Sequence, residues 1–331
     1  MNLPAASGWG IKNIIKHSSW TRENMKLRIG TRGSPLALAQ SNWVKEKIEA
    51  KYPDIQISLL KIKTKGDKIL DSPLAEIGGK GLFVKEIEEA LLRQEVDLAV
   101  HSMKDLPANL PEGLQIAIYP EREDPRDALV SIGYQTLSAL PEGSSVGTGS
   151  LRRSSQLLHL RPDLHVVPLR GNVGTRLRKL ETENLHAVIL ATAGLRRLGF
   201  SDRISQVLST EEILPAVGQG ALGLELRQDD TATKEALQFL NHKRTEVTVR
   251  AERVFLNKLE GGCQVPIAAY SRIEEESIIL QGLVAELDGS RVIKDEVSGN
   301  KSSPEDIGTT LADRILAAGG DKILAQIYGA A

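Results

Sequence analysis

From Met25 to about residue 210, short apolar runs with strand character alternate with stretches of helical periodicity. "KLRIG" reads as a buried strand and "LALAQSNWVKEKIEAKY" as the helix after it. "ISLLKIKT" is a strand, and "LFVKEIEEALLRQ" an amphipathic helix whose Leu82, Ile87 and Leu91 recur roughly one turn apart. "VDLAVH" has few polar positions, as expected of a strand covered on both faces. Strands that alternate with helices imply mainly parallel sheets.

The charged segment "YPEREDPRDALVS", with Pro120 and Pro125, reads as a crossing between two such units. A second series follows in "SSVGTGSLRRSSQLLHL", "LHVVPLRGNVGTRLRKLE" and "AVILATAGLRRLG". "LPAVGQGALGLELR" then returns to a strand through another Pro/Gly-rich crossing. Two crossings make a bilobal clamp with a hinge of two strands, and ligands of such sheets lie outside the carboxyl ends of the strands. From about residue 243 the pattern changes. "TEVTVRAERVFLNKLE" is helical, and "PIAAYSRI", "SIILQGLVAEL" and "RVIKDEVSG" are short strands. "SPEDIGTTLADRILAAG" is a closing helix, with Ser303 as N-cap and Glu305 and Asp306 in its first turn. This part reads as a small α+β domain.

With 331 residues, 41% hydrophobic and 26% charged, the chain has material for two or three cores. A net charge of −1 provides no global field for nucleic acid or an anionic membrane, so any positive patch is local. No run approaches the roughly 18 apolar residues of a membrane span. In residues 1–24, Lys12 and Lys16 interrupt what would be the apolar core of a secretory signal. These residues are expected to be an extension outside the fold, a transit peptide being the alternative. One cysteine excludes an internal disulfide framework and a multi-cysteine metal site, and the expected setting is reducing and cytosolic.

Four strand ends run into small-residue loops with arginine at the next helix start: "GTRGSP" (30–35), "GTGSLRR" (147–153), "RGNVGTR" (170–176) and "ATAGLRR" (191–197). Helix starts need small polar caps, and any one of these loops could be only that. Cations at a helix N-terminus are unfavourable for the fold itself, however, so their repetition points to a polyanionic ligand. Guanidinium pairs two-point with carboxylate or phosphate. Both ligand types remain open, and one with many carboxylates fits at least as well. "GQGALG" (218–223) matches G-x-G-x-x-G but precedes a strand instead of opening a helix, which argues against dinucleotide binding. "GGKG" (78–81) lacks the residues of a phosphate loop and reads as a glycine-rich lid from which Lys80 could contribute a charge.

"VDLAVHSMKDLP" sets Lys104 and Asp105 just past a strand end. Asp105 is either a helix-start acid or a lone carboxylate at the mouth of an arginine-lined cleft, able to stabilise a cation and pass protons. Cys263 follows a helix whose end is marked by Gly261 and Gly262. A helix C-terminus does not favour a thiolate, and no histidine is near in sequence, so a Cys–His hydrolase is poorly supported. A buried small hydrophobe and a covalent attachment point remain.

"IGTRGSPLALAQ", "GGKGLFVKEIE", "DLAVHSMKDLP", "EREDPRDALVS", "VGTGSLRR", "LRGNVGTRLRKL" and "EGGCQVPIA", in this order, resemble the hydroxymethylbilane synthase (porphobilinogen deaminase) family of tetrapyrrole and heme biosynthesis. The resemblance runs from about Met25 to the C-terminal helix. It implies an α/β fold: two lobes like type II periplasmic binding proteins, with mainly parallel-core mixed sheets, and a small C-terminal α+β domain. The implied boundaries are 25–121 with 219–240, then 122–218, then 241–331, behind the extension 1–24.

It also implies a transferase with a dipyrromethane cofactor on Cys263 through a thioether. Asp105 is then the catalytic acid. Lys104, Asp105, Ser150, Arg152, Arg153 and Arg170 match positions on the cofactor; Arg32, Ser34, Arg176 and the lid's Lys80 match positions on the substrate. No metal is implied. Porphobilinogen carries two carboxylates; loss of ammonia leaves a cationic azafulvene, which the terminal pyrrole of the anchored chain attacks. Four cycles and a hydrolysis release hydroxymethylbilane. The implied partners are porphobilinogen and the growing polypyrrole chain, with no nucleic acid and no membrane. A cytoplasmic monomer is implied, a transient hand-over to the next enzyme is allowed, and chlorophyll as an end product is left open.

The chain departs from the family pattern at Gly149, where serine is frequent, at Glu76, often basic, and at Leu129, often aromatic. These bear on lid contacts and affinity. The runner-up is a binding protein that holds a carboxylated ligand without chemistry; it leaves Cys263 and Asp105 without a reason.

Overall fold

The computed structural model describes residues 26–68, 83–260 and 265–329, without the side chains of 67 and 68. Expectations for residues 1–24, Glu76, Lys80, Leu82, Gly261, Gly262 and Cys263 fall outside the described residues.

The chain begins with β1 (Lys26–Thr31), α1 (Pro35–Lys51), β2 (Gln56–Lys61), α2 (Lys65–Lys68), α3 (Lys85–Leu92), β3 (Leu98–Ser102) and β4 (Leu114–Ile118). It continues with β5 (Asp127–Ser131), β6 (Ser145–Gly147), α4 (Leu151–Leu160), β7 (His165–Val167), α5 (Val173–Thr182), β8 (Ala187–Ala191), α6 (Thr192–Arg197) and β9 (Gln206–Val207). After β10 (Leu222–Arg227) and α7 (Thr231–Leu237) come α8 (Lys243–Lys258), β11 (Ile267–Glu274), β12 (Ser277–Ala285), β13 (Val292–Asn300), α9 (Pro304–Ile315) and α10 (Asp321–Gly329).

Among the described residues three sheets result, ordered β2-β1-β3-β10-β4, β7-β6-β8-β5-β9 and β11-β12-β13. The first two share one design. β1 runs parallel to β2 and β3, and β6 parallel to β7 and β8. The first strand after each crossing, β5 or β10, then pairs antiparallel with β8 or β3. The fold is thus α/β with parallel-core mixed sheets. The register sets Leu222 opposite Ser102 and Asp127 opposite Ala191, so each crossing arrives at the end of a parallel strand.

Local chemistry explains the elements. Ser34 caps α1 by accepting from the Ala37 N–H at 3.3 Å, with Pro35 in its first turn; Asn172 caps α5 by accepting from the Thr175 N–H at 2.9 Å. In β5 and β8, Leu129 and Ile189 enter one core, while Ala128, Val130, Val188 and Leu190 enter the other. This two-residue alternation buries both faces of the second sheet. Leu129 is fully buried, so its departure from the family pattern concerns core packing and not lid contacts. In the third unit Phe255 of α8 lies over Gly282 of β12, where an added Cβ would sit 2.6 Å from the ring.

Two expectations are corrected. The crossings, 119–126 and 208–221, are not strands. Pro120, Pro125 and Pro215 lack the donor a ladder needs, and Gly218 and Gly220 have φ of +68° and +85°. Their polar groups pair elsewhere: the Ala269 N–H of β11 donates to the Pro215 carbonyl, and the Gly218 N–H donates to Glu252 of α8. Second, Arg196 and Arg197 are not at a helix start. α6 begins directly at the end of β8 and is only six residues long, which puts both arginines in its last turn, where cations suit the helix dipole. Arg196 pairs with Glu123 at 2.8 Å, and Arg197 donates to the Gly220 carbonyl.

Candidate active site

β3 runs out at Ser102, and Met103–Asp105 form a single 3-10 turn. Met103 anchors this turn: it is buried, and its N–H donates to the Ala221 carbonyl at 3.0 Å. Gly223 leaves room for its sulfur, which would lie 2.2 Å from an added Cβ. Lys104 is half-buried and Asp105 exposed at the strand end. Burial lowers Lys104 to about 8; Asp105 opposes that shift and Arg153 adds to it.

The second lobe contributes the start of α4. Ser150 stands at its N-cap, and its hydroxyl makes no capping hydrogen bond. Arg152 and Arg153 follow, each 5% exposed, and both reach Asp127 at the start of β5. Arg152 Nη2 lies 2.8 Å from Oδ2 and Arg153 Nη2 2.7 Å from Oδ1. Arg152 also donates to the Leu214 carbonyl and Arg153 to that of Ile189. Burial alone would raise Asp127, but the two guanidinium groups hold it well below the usual carboxylate range.

Gln219 joins the lobes. Its Nε2 donates to Asp127 Oδ1 at 2.9 Å and to the Pro125 carbonyl at 2.7 Å, and its Oε1 accepts from Lys104 Nζ at 3.4 Å. Sequence reasoning missed both residues. Asp127 was hidden in a segment read as a boundary, and Gln219 in "GQGALG", which precedes β10 as expected of a non-nucleotide loop. The available signal was the glycine on either side of Gln219.

Arg170 precedes α5 and Arg176 lies in its first turns. Burial, then Arg153 and Arg170, lower Arg176 to about 10, with Asp105 opposing. Its Nε is buried without a hydrogen-bond partner. Lys104, Asp105, Arg152, Arg153, Arg170 and Arg176 therefore share one electrostatic environment spanning both lobes. Arg32 and Ser34 lie at the end of neighbouring β1. Gln40 of α1 ties that end to β3 by donating to Ser102 Oγ at 2.8 Å. The Arg32 guanidinium stacks 4.2 Å over the Phe83 ring, and Ser34 serves as the α1 cap.

Among the described residues, Lys104, Arg152, Arg153, Arg170 and Arg176 stand against Asp105 and Asp127, and one guanidinium keeps an unused buried donor. Such a surplus fits a ligand with several carboxylates, the kind a dipyrromethane bearing acid side chains would present. Among the described residues no helix is long and apolar enough to cross a membrane.

Residues 27–235 match the family described as "Porphobilinogen deaminase, dipyromethane cofactor binding domain", and residues 247–317 match "Porphobilinogen deaminase, C-terminal domain". The chain is 58% identical over 303 residues to the porphobilinogen deaminase of Trichlorobacter lovleyi, covering 92% of this chain and 97% of that one. It is 56% identical to that of Geobacter sulfurreducens, covering 92% and 95%. Among solved structures it is similar to the methionine-binding protein MetQ, at 15% identity and a TM-score of 0.40 over 65% of this chain and 90% of that one; a score so low adds nothing to the fold. With both matches falling on the parts of the chain that build the cleft and the third sheet, the protein belongs to the porphobilinogen deaminase family.

Proposed function

We propose that this chain is a hydroxymethylbilane synthase. It deaminates porphobilinogen, joins four molecules head-to-tail onto a primer held by Cys263, and releases the linear tetrapyrrole by hydrolysis. The observation that carries this reading is the under-compensated cation cluster around Asp105. Family identity at 54–58% across the curated relatives supports it.

The dipyrromethane group, when bound through Cys263, supplies the terminal pyrrole carbon onto which the substrate is joined. Lys104, Ser150, Arg152, Arg153 and Arg170 hold carboxylates of that group; Arg32, Ser34, Arg176 and Lys80 hold those of the incoming porphobilinogen. Asp105 gives a proton to the departing amine, stabilises the cation left when ammonia leaves, and accepts the proton lost from the pyrrole carbon after bond formation. Asp127 holds Arg152 and Arg153 side by side while cancelling only one of their two charges. Lobe motion about the crossings makes room for the growing chain. We assign residues 25–121 with 219–240, 122–218 and 241–331 as three domains, in a cytoplasmic monomer able to hand its product on.

Intact-protein mass tests this. Protein from a porphobilinogen-producing host should exceed the sequence mass by two pyrrole units, and Cys263→Ser should lack the excess. An unmodified wild-type mass would favour a carboxylate-binding protein without chemistry. Asp105→Asn should still acquire the adduct if supplied with preformed tetrapyrrole, yet release product far more slowly. Release at the wild-type rate would remove Asp105 from its role.

A further inference from the structure

α3 packs on the first sheet and buries Glu88, 6% exposed, beside His101 of β3 and Glu225 of β10, 5% and 0% exposed. His101 Nε2 lies 2.8 Å from Glu225 Oε2. Glu225 Oε1 and Glu88 Oε1 are both buried without a hydrogen-bond partner. The chemistry above uses none of these groups. Two carboxylates and one imidazole thus share an apolar layer that includes the fully buried Ile87 and Leu91. One carboxylate can be neutralised by the imidazole; the unpartnered Oε1 of Glu88 has no hydrogen bond among the described residues to support a second ionised carboxylate.

The cluster lies directly behind the cleft. His101 precedes Ser102, and β10 starts at Leu222 opposite Ser102, where the turn carrying Lys104 and Asp105 begins. The His101–Glu225 contact therefore fastens the two strands whose junction aims Asp105.

We propose that His101 and Glu225 are positioning residues for Lys104 and Asp105, and that Glu88 must hold a proton to keep α3 seated against them. This rests on the reading of Asp105 as the catalytic acid. Ionising Glu88 sets a second buried negative charge beside Glu225, and the strain is relieved by moving α3 off the sheet. Burial first, and then Glu225, push Glu88 up to about 7; His101 opposes the shift, and Glu89 of its own helix adds to it. From α8, Arg253 acts on Glu225. An acid raised on folding contributes stability that is full below its unfolded value and is lost as pH rises through its folded value. The window for Glu88 runs from about 4.5 to about 7.

The test uses holoenzyme of the wild type, Glu88→Gln, His101→Gln and His101→Leu, read by melting temperature and by kcat and KM across pH. Between about pH 5 and about 7, the wild type should lose melting temperature, and Glu88→Gln, which mimics the protonated acid, should lose less. The wild-type fall in kcat above about pH 7 should shift upward or vanish in Glu88→Gln. His101→Leu should lower kcat about tenfold or more with KM within about twofold, and His101→Gln, which keeps a donor for Glu225, should recover most of it. Parallel melting profiles for the wild type and Glu88→Gln would overturn the proton requirement. A change confined to KM, or equal losses in both His101 variants, would overturn the positioning role. A wild type that does not consume porphobilinogen would sink the functional reading instead, while the melting profiles would still judge the proton requirement of the cluster.

Discussion

Arg122 and Glu252 face each other through both terminal guanidinium nitrogens, at 2.6 and 3.1 Å, where the first crossing meets α8. The fully buried Glu252 also accepts from the Gly218 N–H of the second crossing at 2.7 Å and from the Ser271 N–H of β11 at 2.9 Å. One carboxylate thus fastens both crossings to the third unit. Glu252→Gln strips the charge opposite a nearly buried guanidinium, and breaking a buried pair from one side costs about 3–5 kcal/mol. Urea unfolding should show that loss; a change under about 1 kcal/mol would mean the pair holds little together.

Asp127 predicts an acid-side dependence. Its folded carboxyl is held below its unfolded value of 3.8 by Arg152 and Arg153 against burial. A depressed acid contributes stability that is present above its unfolded value and lost as pH falls below it. The wild type should therefore lose stability below about pH 4 more steeply than Asp127→Asn, which starts less stable at neutral pH because two buried cations have lost their counter-charge. Parallel acid-unfolding curves would count against the clamp.

Lys104 predicts an alkaline limit on ligand binding. Burial lowers it to about 8, so its charge is lost as pH rises through that value. Its folded value lies below its unfolded one, so burying it costs stability near neutrality, and this cost is relieved as pH rises from about 8 towards 10.5. In adduct-free Cys263→Ser, calorimetric affinity for a free dipyrromethane bearing acid side chains should fall by up to about tenfold per pH unit above that point, and Lys104→Gln should be weaker and flatter. An equally steep fall in Lys104→Gln would reassign the limit to another group.

Gly149 predicts a local incompatibility. An added Cβ would sit 2.6 Å from the Leu169 carbonyl, and that segment is tied down by the Thr148 N–H to Val167 O and Leu169 N–H to Thr148 O bonds. Gly149→Ser and Gly149→Ala should both push the Leu169–Arg170 backbone outward, cost about 1–3 kcal/mol, and raise the KM for porphobilinogen. A serine variant as stable as the wild type would show that the loop yields freely.

Most strands and helices of the two lobes, the two crossings as links between them and three of the four arginine-bearing loops were legible because each is written in neighbouring residues: caps, prolines and a two- or four-residue period. Asp127, Gln219 and Glu252 were not. Their roles come from partners far along the chain, 26 positions from Asp127 to Arg153, 92 to Gln219, and 130 from Arg122 to Glu252. Nothing near "RDALVS" or "RAERVF" signals those meetings. The reading of "ATAGLRR" failed for a related reason. A six-residue helix is too short for periodicity to show where it starts, so the arginines were assigned to the wrong end.

The insertion of β10 between β3 and β4 sets a schedule for the nascent chain. Strands β5 to β9 emerge as one uninterrupted stretch and can complete their sheet alone. β3 and β4 emerge earlier, yet wait for the whole second lobe to be translated before their shared neighbour appears. At ordinary synthesis rates that delay is on the order of ten seconds. Throughout it, the strand that aims Asp105 has an unpaired apolar edge, the kind of edge that invites aggregation and chaperone capture. The order of manufacture, and not only final stability, thus bears on how much of this enzyme a cell can make.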